Sequence, residues 1–398
     1  MPFSKISGVE EVYKYLLEKN ILLDRFGLWG LVSQETNVHA TQNAISAGHG
    51  TTEAERNTEL TAVSNVKIYD SRRVKITKSD LNPDGYFDAS FLSVPEVNCK
   101  YIMTGIPIPS QVPYFWQMVV EQKVPVIVKL TPTIHHEKEY TYFPKQENHM
   151  LRCGRYQVKC LKKKSYPSHS YRVLRVSIVS GRDQGHQHDI AHLTLSKWPH
   201  EKKFPVADMK QFWQYYTCES YLTASQTEGK IEKLRKTFSS LLHRQLHSPT
   251  SHAPIIQCDL GQMRSASFIL VDIVMRMIEL KVKGCYSPEA IFVKMRDQNN
   301  HLKIPPDTMK DIYYCLLTHL RELEPTLERF DGVIQKHAMS IPEHDWSKKR
   351  IKKYIIPKQW IVDKKERDRF IKQVMKTAKR DSTLSLTSTE IQLPPNTN

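Results

Sequence analysis

The hydrophobic positions of the chain follow two spacings, and the spacing changes near the middle of the sequence. In the first half, short runs rich in Val, Ile and Tyr predict β-strands. These runs cover residues 65–69, 124–130, 156–161, 171–179 and 190–195. The second run is almost continuously apolar, which is typical of a strand that is buried on both faces.

Helical spacing of apolar residues marks the N-terminus and most of the second half. It predicts an N-terminal helix over residues 9–31. Further helices are predicted over residues 208–216, 230–243, 265–280, 288–296 and 307–324. Because strands in the middle of the chain are bracketed by helices, the sequence predicts an α/β (α+β) fold with a mixed sheet.

One domain is expected over residues 1–325, followed by a basic C-terminal extension over residues 326–398. The last residues of the extension are rich in Ser, Thr and Pro, which is typical of a disordered end. Residues 348–380 hold 14 Lys and Arg against three acidic residues and so carry +11 of the net charge of +16. The rest of the chain lacks the charge of a nucleic-acid-binding domain, so no specific nucleic acid is expected.

Apolar residues lie among the charges of the segment 348–380, and four interpretations stay open. The segment binds an anionic membrane surface, is a signal for a nuclear import receptor, is a nucleic-acid-binding patch, or is a solvated basic helix packed on the domain. No apolar run approaches the roughly 18 residues of a membrane-spanning helix. The N-terminal segment has no signal-peptide pattern, and seven cysteines without a C-x-x-C pair favour reduced thiols inside the cell.

The sharpest candidate for chemistry is the segment 255–265. An apolar strand end leads into Cys258, a five-residue loop and Arg264, and a long apolar helix follows. Loop amides and a helix N-terminus stabilise a thiolate and hold a phosphate, and an arginine can bind two phosphate oxygens. Ser265 is expected to donate to the cysteine sulfur. The C-x5-R spacing alone arises by chance about a third of the time. The alternative is a buried structural cysteine.

A series of motifs in a fixed order accompanies this loop, and the sequence resembles the classical protein tyrosine phosphatases. The matching segments are residues 69–74 (YDSRRV), 85–90 (GYFDAS), 101–104 (YIMT), 107–109 (PIP), 115–118 (FWQM), 126–131 (VIVKLT), 142–144 (YFP) and 198–200 (WPH). The resemblance implies the phosphatase fold, with a core at about residues 60–320 and no cofactor. It also implies a phosphate-binding loop made of Asp259, Leu260, Gly261, Gln262, Met263, Arg264 and Ser265. Within the family, the sequence is most similar to the phosphatase-like proteins of bracoviruses.

In this family a cysteine attacks the phosphorus of phosphotyrosine, and an aspartate protonates the leaving phenol. By the resemblance Cys258 is the nucleophile, and His200 stands at the position of the aspartate as a weak substitute. Gln257 replaces the histidine before the nucleophile. Met263 replaces a glycine whose permissive backbone shapes the loop, so a distorted loop is expected.

Three further positions of the family pattern are degraded. Val63 replaces the aromatic wall that stacks on phosphotyrosine, and Asn65 stands where many members bind the substrate backbone through an aspartate. Thr308 stands near the glutamine that positions the hydrolytic water. A metal is not expected, because the charged residues around His186, His188 and His192 favour a solvated turn.

These departures favour an impaired or inactive phosphatase-like protein that binds phosphotyrosine proteins of signalling or adhesion complexes. The alternative is a slow cysteine-dependent phosphatase that works through a phosphocysteine intermediate. A third interpretation makes the basic segment 348–380 the active part and the domain its scaffold. The bracovirus resemblance implies the cytoplasm or nucleus of a host cell as the setting and immune signalling as the target.

Overall fold

The structure is a computed structural model that describes residues 8–30, 32, 49–60, 67–130, 141–195, 198, 204–221, 252–282 and 286–341, with the backbone only at 96 and 219–221. The chain divides into a unit of residues 2–335 and a C-terminal unit that begins at residue 336. Every site residue described below belongs to the first unit. The second unit is described only at residues 336–341.

Eight strands form one twisted mixed sheet in the part of the chain that the structure describes. They are β1 Ala89–Val94, β2 Cys99–Thr104, β3 Val126–Lys129, β4 Met150–Cys153, β5 Tyr156–Ser165, β6 His169–Ile178, β7 Gln187–Leu195 and β8 Ile255–Gln257. Their order across the sheet is β1-β2-β8-β3-β7-β6-β5-β4. Strand β8 is parallel to both of its neighbours, with Ile255 opposite Ile102 of β2 and Ile127 of β3. The residue after β8 therefore lies at the carboxyl end of an inner strand, the third of eight across the sheet.

The strand predictions succeed where Val and Ile are dense. Val126, Ile127 and Val128 of β3 are fully buried, as their uninterrupted apolar run predicts. Strands β5, β6 and β7 also form where predicted, as an antiparallel meander. Residues 67–69, the described part of the run 65–69, are not a strand.

The described residues also form eight helices. They are α1 Val9–Arg25, α2 Thr52–Arg56, α3 Val112–Glu121, α4 Val206–Tyr221, α5 Met263–Glu279, α6 Pro288–Arg296, α7 Pro306–Leu323 and α8 Asp331–Ser340. The helix predicted over residues 9–31 ends early, at Arg25, because Gly27 takes a left-handed backbone with φ of 63°. The helix predicted over residues 230–243 lies outside the described residues.

Helix α5 follows β8 and is buried on nearly every side, so it fixes the loop that joins the two elements. Its one buried acid, Asp272, accepts hydrogen bonds from Tyr101 (2.7 Å), Trp213 (2.6 Å) and Arg276 (2.7 Å). These donors satisfy the carboxylate that the apolar surroundings would otherwise disfavour. Strand β2, helix α4 and helix α5 are thereby tied together behind the loop.

The folded unit extends past residue 325. Leu327 is fully buried, and Asp331 accepts hydrogen bonds from Arg321 (2.8 Å) and from Tyr13 of α1. These contacts connect the segment after α7 with the N-terminal helix. In the described ranges, no helix combines the length and the apolar character that crossing a membrane requires.

Candidate functional site

Cys258 lies directly after β8, at the carboxyl end of a central parallel strand. The Leu130 amide donates to the Gln257 carbonyl (2.8 Å), so the chain is paired with the neighbouring strand up to the residue before the cysteine. The Cys258 side chain is buried, with 3% exposure. Carboxyl ends of parallel strands are the usual place for ligand sites in such sheets.

The loop after Cys258 is a tight turn packed against residues 104–106. Gly261 has a φ of 66°, and a Cβ there would lie 2.6 Å from the Thr104 carbonyl carbon. Only glycine fits that place and that backbone. The Ile106 amide donates to the Asp259 carbonyl (3.2 Å), and Gly105 leaves room for that carbonyl. The backbone of the predicted phosphate-binding loop is thus held against residues 104–106.

Met263, which stands at the position of the family glycine, lies where the loop meets the next helix. It is the first residue of α5 and has helical backbone, a conformation that any side chain tolerates. Its side chain is 45% exposed, and that of Leu260 is 48% exposed. The loop therefore keeps a helix N-terminus at its end and has an apolar rim.

Ser265 contacts the backbone of the strand before the cysteine. Its side chain is fully buried, and its hydroxyl donates to the Ile256 carbonyl of β8 at 3.4 Å. Its donation to the Cys258 sulfur stays a prediction. The hydroxyl links the first turn of α5 to the strand that carries the nucleophile.

Arg264 forms an ion pair inside its own loop. Its Nη1 lies 2.8 Å from Oδ2 of Asp259, and the two side chains are 12% and 32% exposed. The guanidinium predicted to bind phosphate oxygens thus already binds a carboxylate. Asp259 belongs to the predicted phosphate-binding loop, and its side chain supplies the negative charge that pairs with Arg264.

A neutral hydrogen-bond chain lies behind Cys258. Tyr142 Oη donates to Gln257 Oε1 (2.5 Å), and Gln257 Nε2 donates to the Gly105 carbonyl (2.8 Å). His192 Nε2 lies 3.1 Å from Tyr142 Oη. Because the Tyr142 hydroxyl already donates its proton to Gln257, we place the proton of the His192 imidazole on Nε2, which then donates to Tyr142 Oη. Burial, with the charges of Arg172 and Lys129, holds the pKa of His192 well below its ordinary value.

Of the remaining predicted site residues, the structure describes only Thr308. Val63, Asn65 and His200 lie outside the described residues. Thr308 lies in the first turn of α7, half-buried, on a helix that packs against α5. Sequence reasoning missed the pairing of Asp259 with Arg264, although an acid next to the nucleophile of an anion site was a visible signal.

These features define a cysteine-and-arginine loop at a central strand end, and the family comparison agrees with them. Residues 57–318 match the family model for protein-tyrosine phosphatase. The chain belongs to this family, and the predicted fold class is confirmed.

Relatives with substantial similarity come from nematodes and mammals. Tyrosine-protein phosphatase non-receptor type eak-6 of Caenorhabditis elegans is 30% identical over 373 residues, which cover 91% of this chain and 88% of the relative. Protein sdf-9 of the same organism is 30% identical over 316 residues, 78% of this chain and 88% of the relative. Tyrosine-protein phosphatase non-receptor type 2 of Rattus norvegicus is 26% identical, over 71% of this chain and 60% of the relative. The similarity to bracovirus proteins stays a prediction.

Proposed function

We propose that this protein binds phosphotyrosine proteins through the loop 258–265 and turns them over slowly or not at all. The observation that carries the proposal is the Gln257 side chain, fully buried and bonded to Tyr142 and Gly105. A neutral amide there supplies no positive charge beside the Cys258 sulfur, whereas the family histidine can. The loop backbone itself is well formed, which supports binding.

Two positions outside this network support weak turnover. His200 stands at the position of the acid that protonates the leaving phenol, and loss of a general acid costs roughly 10²–10⁴ in rate. Thr308 has a hydroxyl where the family pattern implies an amide that positions water. Both assignments rest on the resemblance of the surrounding motifs.

Phosphate release from a small aryl phosphate and from phosphotyrosine peptides, across about pH 5–8, tests the proposal. We expect turnover at least about 10³-fold below that of an active family member. Cys258→Ser is the diagnostic variant, and Cys99→Ser is the matched control, because it makes the same change outside the loop. Family-like rates in the parent that only Cys258→Ser abolishes would contradict the proposal.

The second candidate is a slow phosphatase, and one observation favours it. Cys258 remains at the carboxyl end of β8, next to the N-terminal turn of α5, where a nucleophile is expected. A phosphocysteine intermediate trapped by acid quench, absent in Cys258→Ser, would identify this activity. A parent protein that binds phosphopeptides without forming the intermediate supports the first candidate.

The basic segment 348–380 is proposed to direct the protein to an anionic membrane or to a nuclear import receptor inside the cell. Its charge of +11 supports this role. The bracovirus resemblance implies a role in a host cell, and the similarity to nematode proteins supports a different setting. Two nematode relatives align with most of the chain, which favours a role in the organism's own phosphotyrosine signalling.

A further inference from the structure

The ion pair between Asp259 and Arg264 joins the two ends of the loop that the proposed function uses. The Nη1–Oδ2 distance of 2.8 Å is that of a charge-assisted hydrogen bond. Arg264 is 12% exposed, so its guanidinium is largely withdrawn from water, while Asp259 keeps 32% exposure. The carboxylate therefore holds the cation from the solvent side of the loop.

The fold fixes the acid in this place. The Asp259 carbonyl accepts from the Ile106 amide, and a Cβ on Gly105 would lie 3.0 Å from that carbonyl oxygen. Gly261 turns the chain with its positive φ, and α5 then delivers Arg264 in its first turn. Both side chains leave a rigid backbone, so little conformational freedom is lost when they meet.

From this geometry we infer that Asp259 is a built-in competing anion that keeps free oxyanions out of the phosphate-binding loop. A phosphate that approaches Arg264 has to displace the carboxylate and also meets its negative charge. The inference rests on the proposed binding function of the loop and names its regulation. A ligand that occupies the loop must therefore make further contacts with the protein, which offset the loss of the ion pair between Asp259 and Arg264.

Asp259→Asn is the direct test, because it removes the charge and keeps the shape. Calorimetric titration with inorganic phosphate and with vanadate should show at least tenfold tighter binding than in the parent, a difference of about 1.4 kcal/mol. Asp259→Ser should behave in the same way, so the result does not depend on one variant folding. Asp80→Asn is the control, since it removes one exposed carboxylate from the turn near residues 79–82 and should change nothing.

The arginine variant separates this inference from the proposed function. In Asp259→Asn, a further Arg264→Ala change should abolish the gained affinity, which supports the inference. If the parent and Asp259→Asn bind phosphate equally and Arg264→Ala removes that binding, the loop binds oxyanions but Asp259 does not control access, and the inference is overturned. If no folded variant binds phosphate, vanadate or a phosphotyrosine peptide, the proposed function and the inference both fail.

Discussion

Replacement of Lys19 by methionine should destabilise the folded unit far more than the same replacement of a surface lysine. Lys19 is 1% exposed and lies on α1, outside the residues 57–318 that match the family model. Its Nζ lies 2.7 Å from Oε2 of Glu289 in α6, whose side chain is fully buried. The ammonium also donates to the Ser287 hydroxyl at 3.2 Å. This ion pair attaches the N-terminal helix to the phosphatase domain.

The size of the destabilisation follows from the contacts that remain around Glu289 in Lys19→Met. Methionine fills most of the volume of the lysine stem, so the cavity is small. The Glu289 carboxylate loses its one cationic partner and keeps neutral donors, among them the hydroxyls of Ser287 (2.7 Å) and Tyr313 (2.8 Å). Removal of one partner from a buried ion pair typically costs about 3–5 kcal/mol, and we expect the lower end because these two donors persist.

The loss should depend on pH in a defined direction. Burial raises the pKa of Glu289, but the charge of Lys19 and hydrogen bonds from Lys19 and Ser287 outweigh it and hold the pKa below its ordinary value. The parent pair therefore contributes stability above the unfolded pKa and loses it on acidification. In Lys19→Met burial acts with less opposition, so the pKa rises and the carboxyl binds a proton as the pH falls. The deficit should be largest near about pH 7 and smaller near about pH 5.

Urea unfolding of the parent and the variant at both pH values measures this deficit. The matched control is Lys310→Met, which removes an ion pair with Asp24 that also attaches α1, to α7, but whose side chains are 32% and 48% exposed. Exposed pairs contribute about 0–1 kcal/mol. A Lys19→Met deficit no larger than that of the control, or one that is equal at the two pH values, would refute the reasoning.

Three further predictions concern the site and the extension. Tyr142→Phe removes the donor to the buried Gln257 Oε1 and should lower the unfolding free energy by about 1–3 kcal/mol in the same urea assay. An unchanged unfolding free energy would show that this hydrogen bond is dispensable. His200→Asp should recover only part of the missing turnover on phosphotyrosine peptides, because Gln257 and Thr308 are unchanged; full recovery in phosphate-release assays would place the whole defect at the acid. Truncation after residue 341 should leave the melting temperature of the protein unchanged and abolish its binding to anionic vesicles in low salt. A lower melting temperature with unchanged vesicle binding would assign the extension a structural role.

The fold was predictable from local patterns to the extent that each element carries its own signal. Helix α6 begins and ends at the predicted residues, and its beginning has a local cause. Ser287 accepts from the Ala290 amide as the N-cap, and Pro288 begins the first turn. Strands β1 and β2 were not predicted, and the family motifs at residues 85–90 and 101–104 only overlap them. The run 65–69 has strand-forming residues, but its described part pairs with no neighbour in the sheet.

The buried ion pair of Lys19 with Glu289 was not predicted, since only the folded chain brings these residues together. Lys19 and Glu289 are 270 positions apart. A partial signal exists, because Lys19 occupies the same face of α1 as the buried Val12, Leu16 and Leu23. A lysine in an apolar stripe indicates a buried partner but does not identify it. Sequence spacing also shows that Asp259 and Arg264 share a loop, but not that their side chains meet.

Gln257 and Asp259 flank Cys258, and in the proposed function they act on different parts of the same chemistry. Gln257 precedes the cysteine and is neutral where the family histidine can carry a positive charge, which disfavours the attack on phosphorus. Asp259 follows the cysteine and pairs with Arg264, which in the inference above weakens ground-state binding of the phosphoryl group. Changing one of the two residues leaves the effect of the other in place, so their variants report on rate and on affinity respectively. A loop with a backbone that requires Gly261, a neutral residue before its cysteine and a paired arginine at its end suits the proposed recognition better than rapid turnover.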